Sequence, residues 1–259
     1  MKNLLFALAW VLGSAASADA APQCTAKSPA ATTALVELYT SEGCDSCPPA
    51  DRWLSSLGAK GYAPDRVVPI ALHVDYWDYI GWKDPYARQA FSARQRKMAA
   101  LARAAAVYTP QVLLQGRDFG AWRGGEFEQA VAKINARPAR ARIALALDAR
   151  NKDAFEVEAL AELLEGQPPA DLGLYLGAYE NKLVSEVKAG ENRGKSLPHD
   201  YVVLQWAGPF EFQGQKLAAR ASLPLLPKAV PGHSGVVAFV QNRSTGEVLQ
   251  ALMLPACPR

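Results

Sequence analysis

Sulfur and imidazole are scarce in this chain. Its 259 residues include three methionines, three histidines and four cysteines, and no tract concentrates any of them. That composition argues against a copper carrier of the Met-rich or His-rich kind, though it leaves zinc open. No apolar run reaches the ~20 residues that a membrane-spanning helix requires. The charges nearly cancel, with 28 Lys and Arg against 25 Asp and Glu, and no basic run is interleaved with aromatics. Nothing therefore points to nucleic acid. The short basic patch from Arg137 to Arg142 reads as solvated surface. There is no internal repeat, low-complexity linker, phosphate loop or nucleotide fingerprint, and no Ser-His-Asp arrangement in sequence.

At the N-terminus, residues 1–20 have the form of a secretory signal peptide. Lys2 supplies the positive start, Leu4 to Leu12 the apolar middle, and Ala18-Asp19-Ala20 the small residues of a cleavage site. Pro22 and Gln23 ahead of Cys24 are unlike a lipoprotein signal. Residues 21–259 are then expected in the periplasm or outside the cell, with no membrane attachment after signal cleavage.

Export places the cysteines where disulfides persist. Cys44 and Cys47 stand two residues apart in Cys44-Asp45-Ser46-Cys47-Pro48, directly after the apolar run Leu35 to Tyr39. Such a pair can form a reversible disulfide, hold a metal, or act as a fixed staple. If it closes on itself, the intramolecular partner left for Cys24 is Cys257, near the other end of the chain. The alternative is a pair of free or intermolecular thiols. A Cys24–Cys257 bridge would be a structural disulfide joining the termini.

Periodicity divides the chain in two. From about Thr32 to Arg137, strands and helices alternate. Leu35–Tyr39, Arg66–Val74 and Gln111–Gln115 read as strands, followed by a return strand at Asp118–Arg123. A helix after Cys47 carries Ala50, Trp53, Leu54 and Leu57 on one face and stops at Gly58, with Pro48 and Pro49 in its first turn. A long helix opens at Asp84-Pro85, and another spans Gly125–Ala136. From Pro138 onward, seven short strands are expected: Ala141–Ala149, Ala154–Ala161, Asp171–Glu180, Lys182–Ala189, Tyr201–Trp206, Gly235–Gln241 and Val248–Leu254. Turn residues separate them, which suggests a sandwich-like module. The expected division is a signal peptide at 1–20, one domain at 21–137 and a β-rich domain at 138–259.

A strand, a Cys-x-x-Cys at a helix start, and a later Thr109-Pro110 before a strand together resemble the thioredoxin fold over roughly residues 32–137. Leu38 to Asp51, His73 to Tyr79, Tyr108-Thr109-Pro110-Gln111 and Gly190-Glu191-Asn192 are similar to the signature of a secreted bacterial family, domain of unknown function 1223. The resemblance spans nearly all of residues 21–259. It implies an α/β thioredoxin-like fold followed by a β-rich, sandwich-like C-terminal part, but no established activity. It also implies a cis Pro110, with the Thr109 backbone offered to a substrate chain. Cys44 would be the exposed nucleophile and Cys47 the resolving thiol. Glu37, which interrupts an apolar strand, would be the acid that exchanges protons with Cys47.

These readings favour an exported thiol–disulfide oxidoreductase acting on protein or small-molecule thiols, with no cofactor and no metal. Two rivals use the same residues: a non-catalytic secreted binding module with a structural disulfide, and a metal-binding protein using Cys44 and Cys47. His73, Asp75 and Asp78 could join the thiols in a mixed metal site, but their spacing suits a strand end, a turn and a cap equally well. Of Tyr76, Trp77, Tyr79, Trp82 and Tyr86, most are expected to pack core, the rest to line a groove. The polar segment Glu191 to His199 has no evident chemistry. Oligomeric state is open.

Overall fold

The computed structural model describes residues 24–151, 153–164, 171–227 and 229–257. The proposed signal peptide at 1–20 lies outside the described residues. In chain order the elements are β1 (Cys24–Lys27), β2 (Ala34–Thr40), α1 (Pro48–Ser55), β3 (Val67–His73), α2 (Gln89–Leu101), β4 (Gln111–Leu114), β5 (Arg117–Asp118), α3 (Gly125–Asn135), β6 (Ala141–Asp148) and β7 (Ala154–Leu163). They continue with β8 (Leu172–Glu180), β9 (Leu183–Glu186), β10 (Ser196–His199), β11 (Val202–Glu211), β12 (Lys216–Pro224), β13 (Ser234–Asn242) and β14 (Val248–Pro255).

Eight strands form one mixed sheet in the order β14-β13-β8-β11-β3-β2-β4-β5, and β1-β6-β7-β12 form a second, antiparallel sheet. β9 and β10 pair as a separate two-stranded hairpin. β2 and β3 run parallel in register from Ala34↔Val67 to Thr40↔His73. β11 joins β3, also parallel, at Val202↔Ala71. That junction fuses the two halves of the chain, because β11 continues the antiparallel ladder to β8. β11 reaches β3 only at Ala71, so Pro69 inside β3 leaves no ladder position toward β11 unfilled.

The large sheet is covered on both faces, which explains why β2, β3 and β8 are buried along their whole length instead of alternating. On one face, Ala50 and Leu54 of α1 and Phe127, Val131 and Ile134 of α3 pack on Val36, Leu38, Val112 and Val202. On the same face, farther along, Leu174, Leu176, Val236 and Ala238 meet Ile143, Leu145, Phe155 and Val157 of the four-stranded sheet. β6 and β7 alternate buried and exposed residues as one-sided strands do. The other face carries α2, whose Phe91 and Met98 pack with Leu35, Tyr39, Ile70, Leu72 and Phe239. Cys24 and Cys257 form a disulfide with Cα atoms 5.7 Å apart, closing a separation of 233 residues.

This architecture overturns the expected fold class. The protein is predominantly β, with three α-helices against fourteen strands among the described residues, and not an α/β thioredoxin-like fold with a β-rich appendage. The boundary expected at 137/138 lies between α3 and β6, and the eight-stranded sheet takes four strands from each side of it. The physical reason is the Ala71–Val202 pairing. Local alternation of strand and helix is visible in the first half, but which strand occupies the free edge of β3 depends on residues 131 positions away. The return strand expected at Asp118–Arg123 is only Arg117–Asp118, and the helix expected from Asp84 begins at Gln89.

Candidate functional site

The chain leaves β2 at Thr40 and makes a tight loop before α1. Cys44 N donates to Ser41 O at 3.2 Å, Cys47 N to Cys44 O at 3.3 Å, and Ala50 N to Cys47 O at 2.8 Å. Cys47 is the N-cap, and Pro48 and Pro49 occupy the first turn, where a missing N–H leaves nothing unsatisfied. Cys44 and Cys47 are joined as a disulfide with Cα atoms 5.5 Å apart. The Ser46 hydroxyl lies 3.3 Å from Cys44 Sγ.

Two distant segments hold this loop. A Cβ on Gly43 would lie 3.1 Å from Trp77 Cβ and 3.3 Å from Ile80 Cδ1, so glycine lets the 75–82 segment press close. The Trp77 indole N–H donates to the Thr109 hydroxyl at 2.7 Å. Since β4 pairs with the end of β2 at Gln111↔Tyr39, Thr109 and Pro110 stand beside the Cys44 loop, and their peptide bond is cis, as expected. From the other direction, Asn192 Nδ2 donates to Glu42 O at 2.8 Å and to Cys44 O at 2.9 Å. Asp45 N donates to Glu191 Oε2 at 3.1 Å. Gly190, at φ +73°, lets this segment approach Ile80, since a Cβ there would meet Ile80 Cδ1 at 3.0 Å. Gly190-Glu191-Asn192 had no assigned chemistry in sequence; it is the clamp on the disulfide loop.

Behind the disulfide lies a buried polar network. Glu42 Oε2 accepts from Trp82 Nε1 at 2.7 Å, and its Oε1 is 3.2 Å from His199 Nε2. Asp84 Oδ2 accepts from Glu42 N at 2.9 Å and lies 2.7 Å from His73 Nδ1, while its Oδ1 accepts from Tyr86 N at 2.9 Å. The His73 and His199 rings meet edge to face, centroids 4.9 Å apart. Asp51, four residues after Cys47 on α1, is also buried. Burial raises its carboxyl above the ordinary range against the pull of His199 and His73. For His73, burial works downward, but the Asp84 carboxylate, then Asp51 and Glu42, leave the imidazole raised overall. Burial works upward on Asp84, and the His73 charge and hydrogen bond together with the two backbone donors leave it lowered. The Thr40 hydroxyl hydrogen-bonds the Asp51 carboxyl and works against its rise, while His73 Nε2 and His199 Nδ1 have no hydrogen-bond partner. Among the described residues, no group of three or more His, Cys, Asp or Glu side chains is arranged to hold a metal ion.

The structure separates some residues that the sequence reading joined. Glu37 shares its face of β2 with Leu35 and Tyr39, the face under α2, whereas α1 packs on the opposite face with Leu38. Its Oε2 accepts from Arg94 Nε at 2.7 Å and from the Tyr39 hydroxyl at 3.1 Å. It is the anion of a buried ion pair, turned away from Cys47. Cys44, expected to be an exposed nucleophile, is 1 % exposed, and Cys47 is 0 % exposed. Asp75 bonds Ser92 and Asp78 receives the Asp84 N–H, so both serve turns. Tyr86 packs core, while Tyr79 is 82 % exposed and stacks with Trp77. Asp51, Glu42, Asp84 and His199 escaped the sequence reading. The one available signal was Asp51 at four residues from Cys47, on the same helical face.

No helix among the described residues is long and apolar enough to cross a membrane. No curated protein matches the chain. Among solved structures, protein AGR_C_4864 from Agrobacterium tumefaciens is similar at 25 % identity and TM-score 0.60, over 88 % of this chain and 96 % of that one. HBP35 of Porphyromonas gingivalis shares the fold at 15 % identity and TM-score 0.62, over 88 % of this chain and 76 % of that one. The model of the family described as "Protein of unknown function (DUF1223)" matches residues 35–241, taking in the Cys44 loop, Thr109-Pro110 and the Asn192 clamp, and the chain belongs to that family.

Proposed function

We propose that the protein is an exported thiol–disulfide oxidoreductase that uses Cys44 and Cys47 on a protein or small-molecule thiol. The observation that carries this reading is the setting of the disulfide. It closes a short loop at the start of α1, and the loop is held by side chains from two remote segments beside Thr109 and Pro110. Two disulfides in one chain fit an oxidising compartment, periplasmic or extracellular. A substrate thiolate attacks Cys44 Sγ, the Cys44–Cys47 bond breaks, and Cys47 departs as a thiolate. A second substrate thiolate then attacks the substrate sulfur of the mixed disulfide and releases Cys44. Two electrons pass from the substrate thiols to the protein, and the reverse sequence oxidises a dithiol. The α1 N-terminus favours thiolate at the pair, and Asp45 opposes it. The Thr109 backbone, with exposed Tyr79 and Tyr108 nearby, forms the substrate side.

Burial of both sulfurs favours a second reading, a disulfide that only fixes the loop. Equilibration of the protein in glutathione buffers separates the two. A reversible Cys44–Cys47 couple above about −300 mV, with mixed disulfides trapped by Cys47→Ala, is the expected result. A pair that stays oxidised throughout leaves the structural reading.

A further inference from the structure

Opening a buried disulfide creates a buried thiolate, and its charge is costly unless a proton arrives with it. Glu37 faces the wrong side of the sheet to supply that proton. α1 provides another carboxyl. Asp51 N donates to Cys47 O at 3.2 Å, so the two residues stand one helical turn apart on the same face. Asp51 is 8 % exposed, and the Thr40 hydroxyl lies within hydrogen-bonding reach of its carboxyl.

The surroundings of Asp51 suit proton exchange. Each packed element presents a group to it: Thr40 at the end of β2, His73 at the end of β3, Asp84 in the loop before α2, and His199 on β10. Glu42 lies beyond His199, bonded to it. The two imidazoles favour the carboxylate, while burial and Asp84 favour the neutral acid. Between α1 and β10 is a cavity of about 40 Å³ lined by Pro48, Asp51, Arg52, Leu197, Pro198 and His199. It has room for a water and offers polar partners for one. Arg52 and Ser196 at its edge are exposed.

Resting on the thiol–disulfide reading above, we propose that Asp51 exchanges a proton with the Cys47 sulfur as the disulfide opens and closes, and that the cavity lined by His199 connects Asp51 to solvent. When a substrate thiolate attacks Cys44, the sulfur–sulfur bond breaks and its electron pair goes to Cys47. The Asp51 carboxyl gives Cys47 that proton and is left as a carboxylate, which His73 and His199 stabilise. In reoxidation the Asp51 carboxylate takes the proton back as Cys47 attacks the mixed disulfide. The β9–β10 hairpin thus supplies both the clamp, through Asn192, and one wall of the proton path, through His199.

The test follows reduction of the full-length oxidised protein by excess dithiothreitol, read by tryptophan fluorescence across a pH series. The set is wild type, Asp51→Asn, Asp51→Glu and His199→Gln. Asp51→Asn is expected to react roughly 100-fold more slowly, at the low end of the usual range for loss of a general acid. With rates corrected for the thiolate fraction of dithiothreitol, wild type should slow as pH rises through the Asp51 titration and Asp51→Asn should not, and Asp51→Glu should restore part of both effects. If wild type is reduced and Asp51→Asn has the same rates and profile, the proposal is overturned while the oxidoreductase reading stands. If native wild type is never reduced, the oxidoreductase reading falls and takes the proposal with it. Should Asp51→Asn fail to fold, carbon-13 NMR of the Asp51 carboxyl in wild type decides. A midpoint that differs between oxidised and reduced protein supports the exchange, and one identical in both overturns it.

Discussion

Replacing Glu37 with Gln gives a direct measure of how this sheet is held together, and it separates stability from chemistry. Arg94 reaches from α2 into the apolar face of the large sheet, with its side chain 9 % exposed. Its Nε donates to Glu37 at 2.7 Å and its Nη1 to Gln241 Oε1 at 3.0 Å. Its guanidinium lies 5.2, 5.4 and 5.0 Å from the ring centres of Tyr175, Trp206 and Phe239. Removing the carboxylate charge leaves this cation buried with a neutral acceptor and three aromatic faces. Losing one partner of a buried ion pair costs about 3–5 kcal/mol. The ring contacts remain and place the expectation at the low end, about 3 kcal/mol. For a chain of this size that corresponds to a fall in melting temperature of about 6–12 °C. Urea unfolding of wild type and Glu37→Gln, with equal slopes, measures it. The double variant Glu37→Leu/Arg94→Met, apolar at both positions, should recover most of the loss. Dithiothreitol reduction of Cys44–Cys47 should proceed at the wild-type rate in folded Glu37→Gln. A loss below about 1 kcal/mol would refute the ion-pair reasoning. A slowed reduction in folded protein would return Glu37 to the thiol site.

Two further outcomes test other parts of the structure. Cys24→Ser/Cys257→Ser opens a 233-residue separation, and the loop-entropy relation puts the loss at about 5 kcal/mol as an upper bound; urea unfolding with Cys44–Cys47 still oxidised reads it, and a loss near zero would mean that the sandwich alone fixes the termini. The raised His73 imidazole contributes stability that is complete below its unfolded value and is lost as pH rises through its folded value. The raised Asp51 carboxyl acts in the same direction, from lower pH, while Asp84, lowered, loses its contribution only as pH falls through its folded value. Wild-type stability should therefore decline as pH rises above the ordinary imidazole value of about 6.5, and His73→Gln should show a shallower decline; a rise in wild-type stability above that pH contradicts the assignment.

Much of the local structure was readable. β2, β3 and β8 are long enough and apolar enough to be recognised as strands, and the alternation of β6 and β7 reveals one-sided burial. The cysteine count led to the correct pairing of Cys24 with Cys257. β12 escaped because Lys216–Pro224 is rich in alanine, a helix former, and its strand state comes from a full antiparallel ladder with β7. β10 escaped because four residues with a central Pro198 carry no periodicity. The fold class was misjudged for a related reason. Helix and strand order is local, but sheet membership depends on partners, and Val202 is invisible from Ala71.

The same limit explains how the site was only half seen. Cys44, Cys47, Thr109 and Pro110 sit in short motifs, so composition and spacing expose them. Glu42, Asp84, His73, His199 and Asn192 act through contacts between segments up to 157 positions apart, and each looks like an ordinary polar residue in its own context. Glu37 shows the converse error. A carboxylate inside an apolar strand signals a buried partner, but parity along β2 decides which face it serves. Leu38 faces α1, so Glu37 must face α2. Given that α1 follows β2 and lies on the Leu38 side, a carboxyl able to meet Cys47 must come from α1 itself or from a segment packed against it. Asp51 meets the first condition, and its distance along the helix from Cys47 is independent of any long-range pairing.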